Sequence, residues 1–296
     1  DWHLNDSPSP RTGYTTDLIG DAAVEFIDSI PADEPYFAFI PFTAPHSPFQ
    51  AKPEDIARYP HRPKGKLRTF AAMVDSMDQA IGRILKTVEN RDDAANTIVL
   101  FMSDNGGVNK VGDNGPQRGA KLTVYQGGIR VAAIARWPAG GIAGGGSSNT
   151  RIGYIDILPT ILSAIGHNAR LHHPLDGVDA LAAIRGNHTL PDRAWLTYLD
   201  QNDDARERFA LNHDDYKLVV QRDAADASEN RPALIELFNI SDDPTESTNL
   251  ADTDGPTLTE LNSALENLMK LKSPSQVSRF REGRDGFTPP KNWSVR

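Results

Sequence analysis

Asp104 and Asn105 follow an uninterrupted apolar run, Ile98-Val99-Leu100-Phe101-Met102, and lead directly into Gly106 and Gly107. Their carboxylate and carboxamide are hard oxygen donors, which suit Ca²⁺ or Mg²⁺ rather than a soft metal. Asp-Asn-Gly-Gly is equally ordinary turn chemistry, so a plain chain reversal fits the same residues. An EF-hand loop is excluded, because the third position counted from Asp104 is Gly106 rather than Asp or Asn. His46 sits in Ala44-Pro45-His46-Ser47-Pro48, between prolines that fix the backbone. A single imidazole there suits a structural role or proton transfer. Lys121 precedes Thr123-Val124-Tyr125-Gln126-Gly127-Gly128-Ile129-Arg130, and near Trp2 there is one further imidazole, His3.

The elements that must carry these groups follow from hydrophobic periodicity. A continuous apolar run such as 98–102 reads as a strand buried on both faces of a parallel sheet. Ligands of such sheets bind at the carboxyl ends of the strands, where Asp104 and Asn105 stand. Tyr36-Phe37-Ala38-Phe39-Ile40 reads as a second buried strand, ending just before His46. Between the two runs, Phe70, Met73, Val74, Met77, Ile81, Leu85 and Val88 form a helical stripe, with Asp75 and Asp78 on the solvated side. Strand, helix and strand make a βαβ unit. An earlier helix begins with Thr16 or Asp17 as its cap, and residues 53–65 read as a linker. A glycine-rich surface loop spans residues 139–148, and a helix covers 154–165. Beyond Asn187 the segments become shorter and more polar. Residues 194–198, 208–211, 216–220 and 235–239 read as antiparallel strands, and Thr257 caps a last helix with Leu258, Leu261, Leu265, Leu268 and Leu271 on one face.

Bulk properties narrow the function. The 296 residues carry a net charge of −9, which argues against a nucleic-acid footprint. An anionic ligand would therefore have to be drawn by a local pocket, not by the overall field. The chain contains no cysteine, so disulfides, thiolate zinc sites and a cysteine nucleophile are excluded within it. No apolar run approaches the roughly 18 residues of a membrane span, and no signal peptide is visible.

Four short pieces, in this order and spacing, resemble the sulfatase family of the alkaline-phosphatase superfamily. They are Trp2-His3-Leu4, Ala44-Pro45-His46, Ser103-Asp104-Asn105-Gly106, and Lys121 with Tyr125-Gln126-Gly127-Gly128-Ile129-Arg130. Asp156-Ile157-Leu158-Pro159-Thr160 resembles the helix that follows in that family. Leu237-Phe238-Asn239-Ile240-Ser241-Asp242-Asp243-Pro244-Thr245-Glu246, with Asn249-Leu250, resembles its C-terminal Asp-Pro-x-Glu signature. The resemblance implies an α/β fold with a mostly parallel central sheet flanked by helices, in residues 1–187. A smaller α+β subdomain with an antiparallel sheet would occupy residues 188–296. It also implies one Ca²⁺ with Asp104 and Asn105 among its ligands, His46 and Lys121 contacting sulfate oxygens, His3 near the nucleophile, and Arg130 pairing near the pocket. Cation, ammonium and imidazolium would stabilise the charge that builds on a sulfuryl group in transfer.

The departures from the family pattern are specific. Its formylglycine nucleophile arises in a Cys/Ser-x-Pro-x-Arg motif, and these residues contain none. From Ser7, in Ser7-Pro8-Ser9-Pro10-Arg11, the proline falls one place late. The family's paired aspartates precede Trp2, its Lys stands where Asp1 is, and Gln126 stands where Glu is common. The expectation is a C-terminal portion that hydrolyses carbohydrate sulfate monoesters when complete and is inactive alone, with its N-terminal segment a candidate separate chain. The expected location is periplasmic or secreted, with no nucleic-acid or membrane partner. A phosphate or phosphonate monoester hydrolase and a non-catalytic binding relative are the alternatives.

Overall fold

A computed structural model describes residues 2–167, 173–186, 190–201, 206–223 and 233–270. The expected boundary at Asn187, the stripe position Leu271, Asp1 and the C-terminal tail lie outside these residues. The chain divides into two compact units. Among the described residues, one comprises 2–97 and 110–112, and the other comprises 98–109 and those from 113 to 270.

The first unit is built on a helix pair. It opens with a short hairpin, β1 (His3–Leu4) and β2 (Ser7–Pro8), followed by α1 (Thr15–Ser29), α2 (Pro53–Ala57) and α3 (Lys66–Glu89). Two helices approach closely only where small residues meet, and Gly20 of α1 faces Ala80 of α3. The buried face of α3 is therefore Ala72, Met73, Ser76, Ala80, Ile84 and Val88. Of the expected stripe, Met73 and Val88 are buried, whereas Val74 points to solvent. Asp75 is also not solvated, because its carboxylate lies 3.1 Å from Arg58. The stretch read as a linker contains α2, whose buried Asp55 accepts a 2.5 Å hydrogen bond from Ser76 of α3. Neither Thr16 nor Asp17 caps α1; Tyr14 takes that position, and Asp17 pairs with Lys52 at 2.9 Å. Residues 36–40 form no strand, and Phe37 and Phe39 are 74% and 80% exposed.

The second unit carries β3 (Val99–Met102), α4 (Gln126–Ile129), β4 (Ala133–Arg136), α5 (Ile157–Ala164) and α6 (Leu181–Ile184). The expected mixture of helices and strands holds. The parallel βαβ pairing does not appear among the described residues, where β3 pairs β4 antiparallel with Val99 opposite Arg136. A half-buried strand of four residues satisfies its backbone with the nearest available edge, whatever the apolar run implies about direction. Asp156, at the start of α5, is a buried hub: it accepts from the Gly153 amide at 2.9 Å, the Val178 amide at 3.0 Å and Arg193 at 2.6 Å.

The antiparallel C-terminal sheet is as expected. β5 (Trp195–Gln201), β6 (Arg206–His213), β7 (Tyr216–Asp223) and β8 (Leu234–Asn239) form a meander in sequence order. Side chains alternate across a strand, so β7 splits its residues between two faces. Leu218 and Val220 join Phe209, Leu211 and Leu237 against Leu261 and Leu265 of α7 (Gly255–Met269). Val219 joins Ala210 and Phe238 on the opposite face, against Val124 and Tyr125. Both faces are thus covered, one by a helix and the other by the segment that follows Lys121. Asp254, not Thr257, caps α7: its carboxylate accepts from the Thr257 amide at 3.3 Å.

After β8 the chain turns tightly around Asp243. Its carboxylate accepts from the Ser247 and Thr248 amides at 2.7 and 2.8 Å and from the Thr245 and Ser247 hydroxyls at 2.8 and 3.0 Å. Burial alone would raise this carboxyl, but the four donors outweigh it and hold it down at about 2. An unfolded Asp titrates near 4, so the linked stability is whole above about pH 4 and is lost as pH falls toward 2. Asp243→Asn should flatten that acid slope when urea midpoints are compared between about pH 2 and 6; an unchanged slope would contradict this role. Leu218→Ala, in the core beneath α7, should cost about 3 kcal/mol in the same denaturation assay.

Candidate functional site

The turn that carries Asp104 and Asn105 is shaped by glycines. A side chain on Gly106 would meet the Gly127 carbonyl at 1.8 Å, and one on Gly127 would meet the Gly119 carbonyl at 2.4 Å. One on Gly128 would meet the Thr123 carbonyl at 2.2 Å. Only glycine permits such backbone approach. The contact is also bonded, because the Gly106 amide donates to the Gly128 carbonyl at 2.9 Å. On the other side, the Lys121 amide donates to the Gly107 carbonyl at 3.0 Å. Asn114 closes the loop: its side-chain oxygen accepts from the Gly107 amide at 2.6 Å, and its amide donates back to the Gly107 carbonyl at 3.2 Å. Asp104, Asn105 and Lys121 are therefore tied into one backbone knot.

The side chains in this knot carry the polar groups of the candidate site. Asn105 donates its amide hydrogen to the Gly106 carbonyl at 3.2 Å, so its side-chain oxygen is the atom that could accept from or coordinate a ligand. Ser103 donates its hydroxyl to the Asn105 carbonyl at 2.9 Å, which fixes the turn. Asp104 is exposed, and among the described residues its carboxylate takes no hydrogen bond. Tyr154 donates its hydroxyl to the Ser103 carbonyl. Burial, and then the nearby charge of Asp104, push that hydroxyl above its ordinary pKa. The Lys121 side chain is half-buried, and among the described residues no carboxylate pairs with its ammonium. Arg130 is exposed, and its expected pairing is not found among the described residues.

The donor set fits a hard cation in part. Asp104 and Asn105 bring two oxygen donors, fewer than the six to eight oxygens, roughly, that Ca²⁺ gathers. No group of three or more His, Cys, Asp or Glu side chains among the described residues is arranged to hold a metal.

The two histidines belong to the first unit. His3 is half-buried in β1, paired in register with Pro8 of β2. His46 is exposed, with its amide donating to the Thr43 carbonyl at 2.9 Å. Its Nδ1 lies 2.7 Å from the Ser47 carbonyl. A carbonyl only accepts, so Nδ1 carries the hydrogen, and in the neutral ring Nε2 is the acceptor.

Behind the knot lies a polar network absent from the sequence-based expectations. Lys217 and Glu246 are completely buried and meet at 2.6 Å. Lys217 lies on the same face of β7 as Val219, and burial pulls its ammonium below the ordinary lysine range while Glu246 opposes that pull. The second Glu246 oxygen accepts from the Gln126 amide at 2.7 Å. Arg118 donates to the Glu246 carbonyl at 3.1 Å and to the Glu236 carboxylate at 3.0 Å, and its guanidinium stacks 4.0 Å from the centre of the Tyr125 ring. Tyr125 donates its hydroxyl to Glu236 and accepts from Gln221 at 2.8 Å. Burial, and then the Glu236 hydrogen bond, drive the Tyr125 hydroxyl far up. Of these residues Tyr125 and Gln126 carried a sequence signal in the piece after Lys121, and Glu246 in the Asp-Pro-x-Glu signature; Arg118, Lys217, Gln221 and Glu236 carried none.

Comparison with known proteins gives this geometry its context. The Sulfatase family model matches residues 2–167. A protein of Formosa agariphila described as a sulfatase is 32% identical over 300 residues, covering 92% of this chain and 51% of that protein. Human arylsulfatase A is 27% identical over 292 residues, covering 90% of this chain and 54% of its own length. The crystal structure of Ps i-CgsB in complex with k-i-k-neocarrahexaose matches with a TM-score of 0.82 at 25% identity, over 94% of this chain and 60% of that one. The chain spans about half the length of these two curated relatives. Each is a longer single chain, so neither supports a separately encoded N-terminal partner. With more than half of its residues inside the family model, the chain belongs to the sulfatase family.

Proposed function

We propose that these residues form part of a sulfuric ester hydrolase acting on a carbohydrate sulfate monoester. The observation that carries the reading is the Lys121 amide bonded to the Gly107 carbonyl, which ties an ammonium-bearing residue to the turn of Asp104 and Asn105. A structural neighbour in complex with k-i-k-neocarrahexaose and sulfatase relatives support the substrate class.

Asp104 and Asn105 would hold one Ca²⁺ through a carboxylate and an amide oxygen. Bound there, the cation would supply positive charge to sulfate oxygens. Lys121, half-buried, binds a sulfate oxygen as a point charge with three donors. Its local charge offsets the repulsion that a net charge of −9 sets up against an anion. The roles implied for His46 and His3, sulfate contact and proximity to the nucleophile, stand as the resemblance gives them and do not carry the proposal. The nucleophile itself would be a formylglycine. These residues hold no Cys/Ser-x-Pro-x-Arg motif, so they should bind an aryl sulfate without turning it over.

Titration calorimetry tests this on the 296-residue chain. One Ca²⁺ should bind, and Asp104→Ala should weaken binding at least about ten-fold, the loss of one charged ligand. Lys121→Ala should weaken aryl sulfate binding while leaving Ca²⁺ affinity within about two-fold. Two bound transition metals with a preference for aryl phosphate would replace this reading with a phosphatase. Binding of neither metal nor sulfate would leave a non-catalytic relative.

A further inference from the structure

The C-terminal turn does more than close the sheet. Glu246 is the point where three separate segments meet. Its carboxylate takes the Lys217 ammonium from β7 at 2.6 Å and the Gln126 amide from α4 at 2.7 Å, and its carbonyl takes Arg118 at 3.1 Å. From there the bonding runs directly to the candidate site. The Arg118 carbonyl accepts from the Gly127 amide at 2.7 Å, and the Gly128 carbonyl accepts from the Gly106 amide at 2.9 Å. Asn105 and Asp104 immediately precede Gly106 in the same turn.

We propose that Glu246 is a positioning residue for the ligand-binding turn, setting where α4 stands and thereby where Asp104, Asn105 and Lys121 are held. The proposal rests on the sulfatase reading for what the turn binds. Three features separate it from simple packing. First, Glu246 is a carboxylate without exposure, used on both oxygens, and only one of them serves the sheet. Second, the Gln126 amide is the first donor of α4, one of the helix-end donors that have no partner within their own helix. Third, Gly106, Gly127 and Gly128 leave no slack, because their backbones already touch, so a shift of α4 must move the 104–107 turn.

The test combines amide hydrogen exchange with Ca²⁺ calorimetry on the full chain. Glu246→Gln keeps the shape and removes the charge. Gln126→Pro removes only the amide donor to the second Glu246 oxygen, leaves the Lys217 pair intact, and suits the first helical position. It decides the question if Glu246→Gln fails to fold. Leu261→Ala, under α7, is the control for loss of stability elsewhere in the sheet. In both test variants, peptides covering 104–107 and 118–128 should exchange about ten-fold faster, with those of α3 unchanged. Ca²⁺ affinity should fall about ten-fold, the factor that matches a lost hydrogen bond to a charged group. Leu261→Ala should leave Ca²⁺ affinity at the parent value. If Gln126→Pro exchanges and binds as the parent does, or Leu261→Ala weakens Ca²⁺ equally, Glu246 has no positioning role. A parent chain that binds no Ca²⁺ overturns the functional reading, and the positioning role falls with it.

Discussion

The second unit depends on one buried charge pair. Lys217 occupies an inward position on a central strand, where alternation would place an apolar residue. An ammonium there loses its hydration and is tolerable only beside an anion with good geometry. Glu246 supplies it from 29 residues further on. Because each charge needs the other, the pair fixes the turn after β8 against the sheet. Because the carboxylate has a second oxygen, the same turn is fixed against α4. Deleting either partner would strand a charge in the interior, so this junction tolerates fewer replacements than an apolar contact of equal size.

The candidate site rides on loops, one of them at the carboxyl end of β3, the usual division between a rigid scaffold and reactive side chains. The rigidity comes from backbone contact. Three glycines bring the 104–107 turn, the 118–123 loop and α4 into van der Waals contact, and the amides bond across the seams. Side chains on this knot inherit the precision of the backbone beneath them. That matters where a hard cation and a tetrahedral anion must be met at once, since both are recognised by distance more than by shape.

Much of this could be read beforehand where the signal is local. The four C-terminal strands announce themselves by alternation, and the site pieces by short motifs around Asp104, Lys121 and His46. Errors arise where a distant partner decides. In α3 the apolar count points to Phe70, Val74 and Ile81, yet small residues face α1 because Gly20 draws the helices together. The run at 98–102 looks like a parallel strand, and its pairing partner turns out to be antiparallel β4. The run at 36–40 forms no strand at all. The reading of 216–220 as a strand says nothing of where Lys217 points, since no pattern in its neighbourhood betrays a carboxylate reserved for it elsewhere. The links of Arg118 and Glu236 to Tyr125 are invisible for the same reason.

Glu246 adopts a backbone φ of +54°, the left-handed region that glycine and asparagine enter most easily. A side chain bearing a Cβ gives up about 1 kcal/mol there. Protein engineers seeking extra thermostability would choose this position for glycine, and local backbone preference would support them. The exchange would relax one dihedral angle and empty the socket in which a lysine is neutralised. Residue 246 is therefore held by two opposed demands: the conformation favours one amino acid, the electrostatics require another, and a modest permanent strain is the compromise.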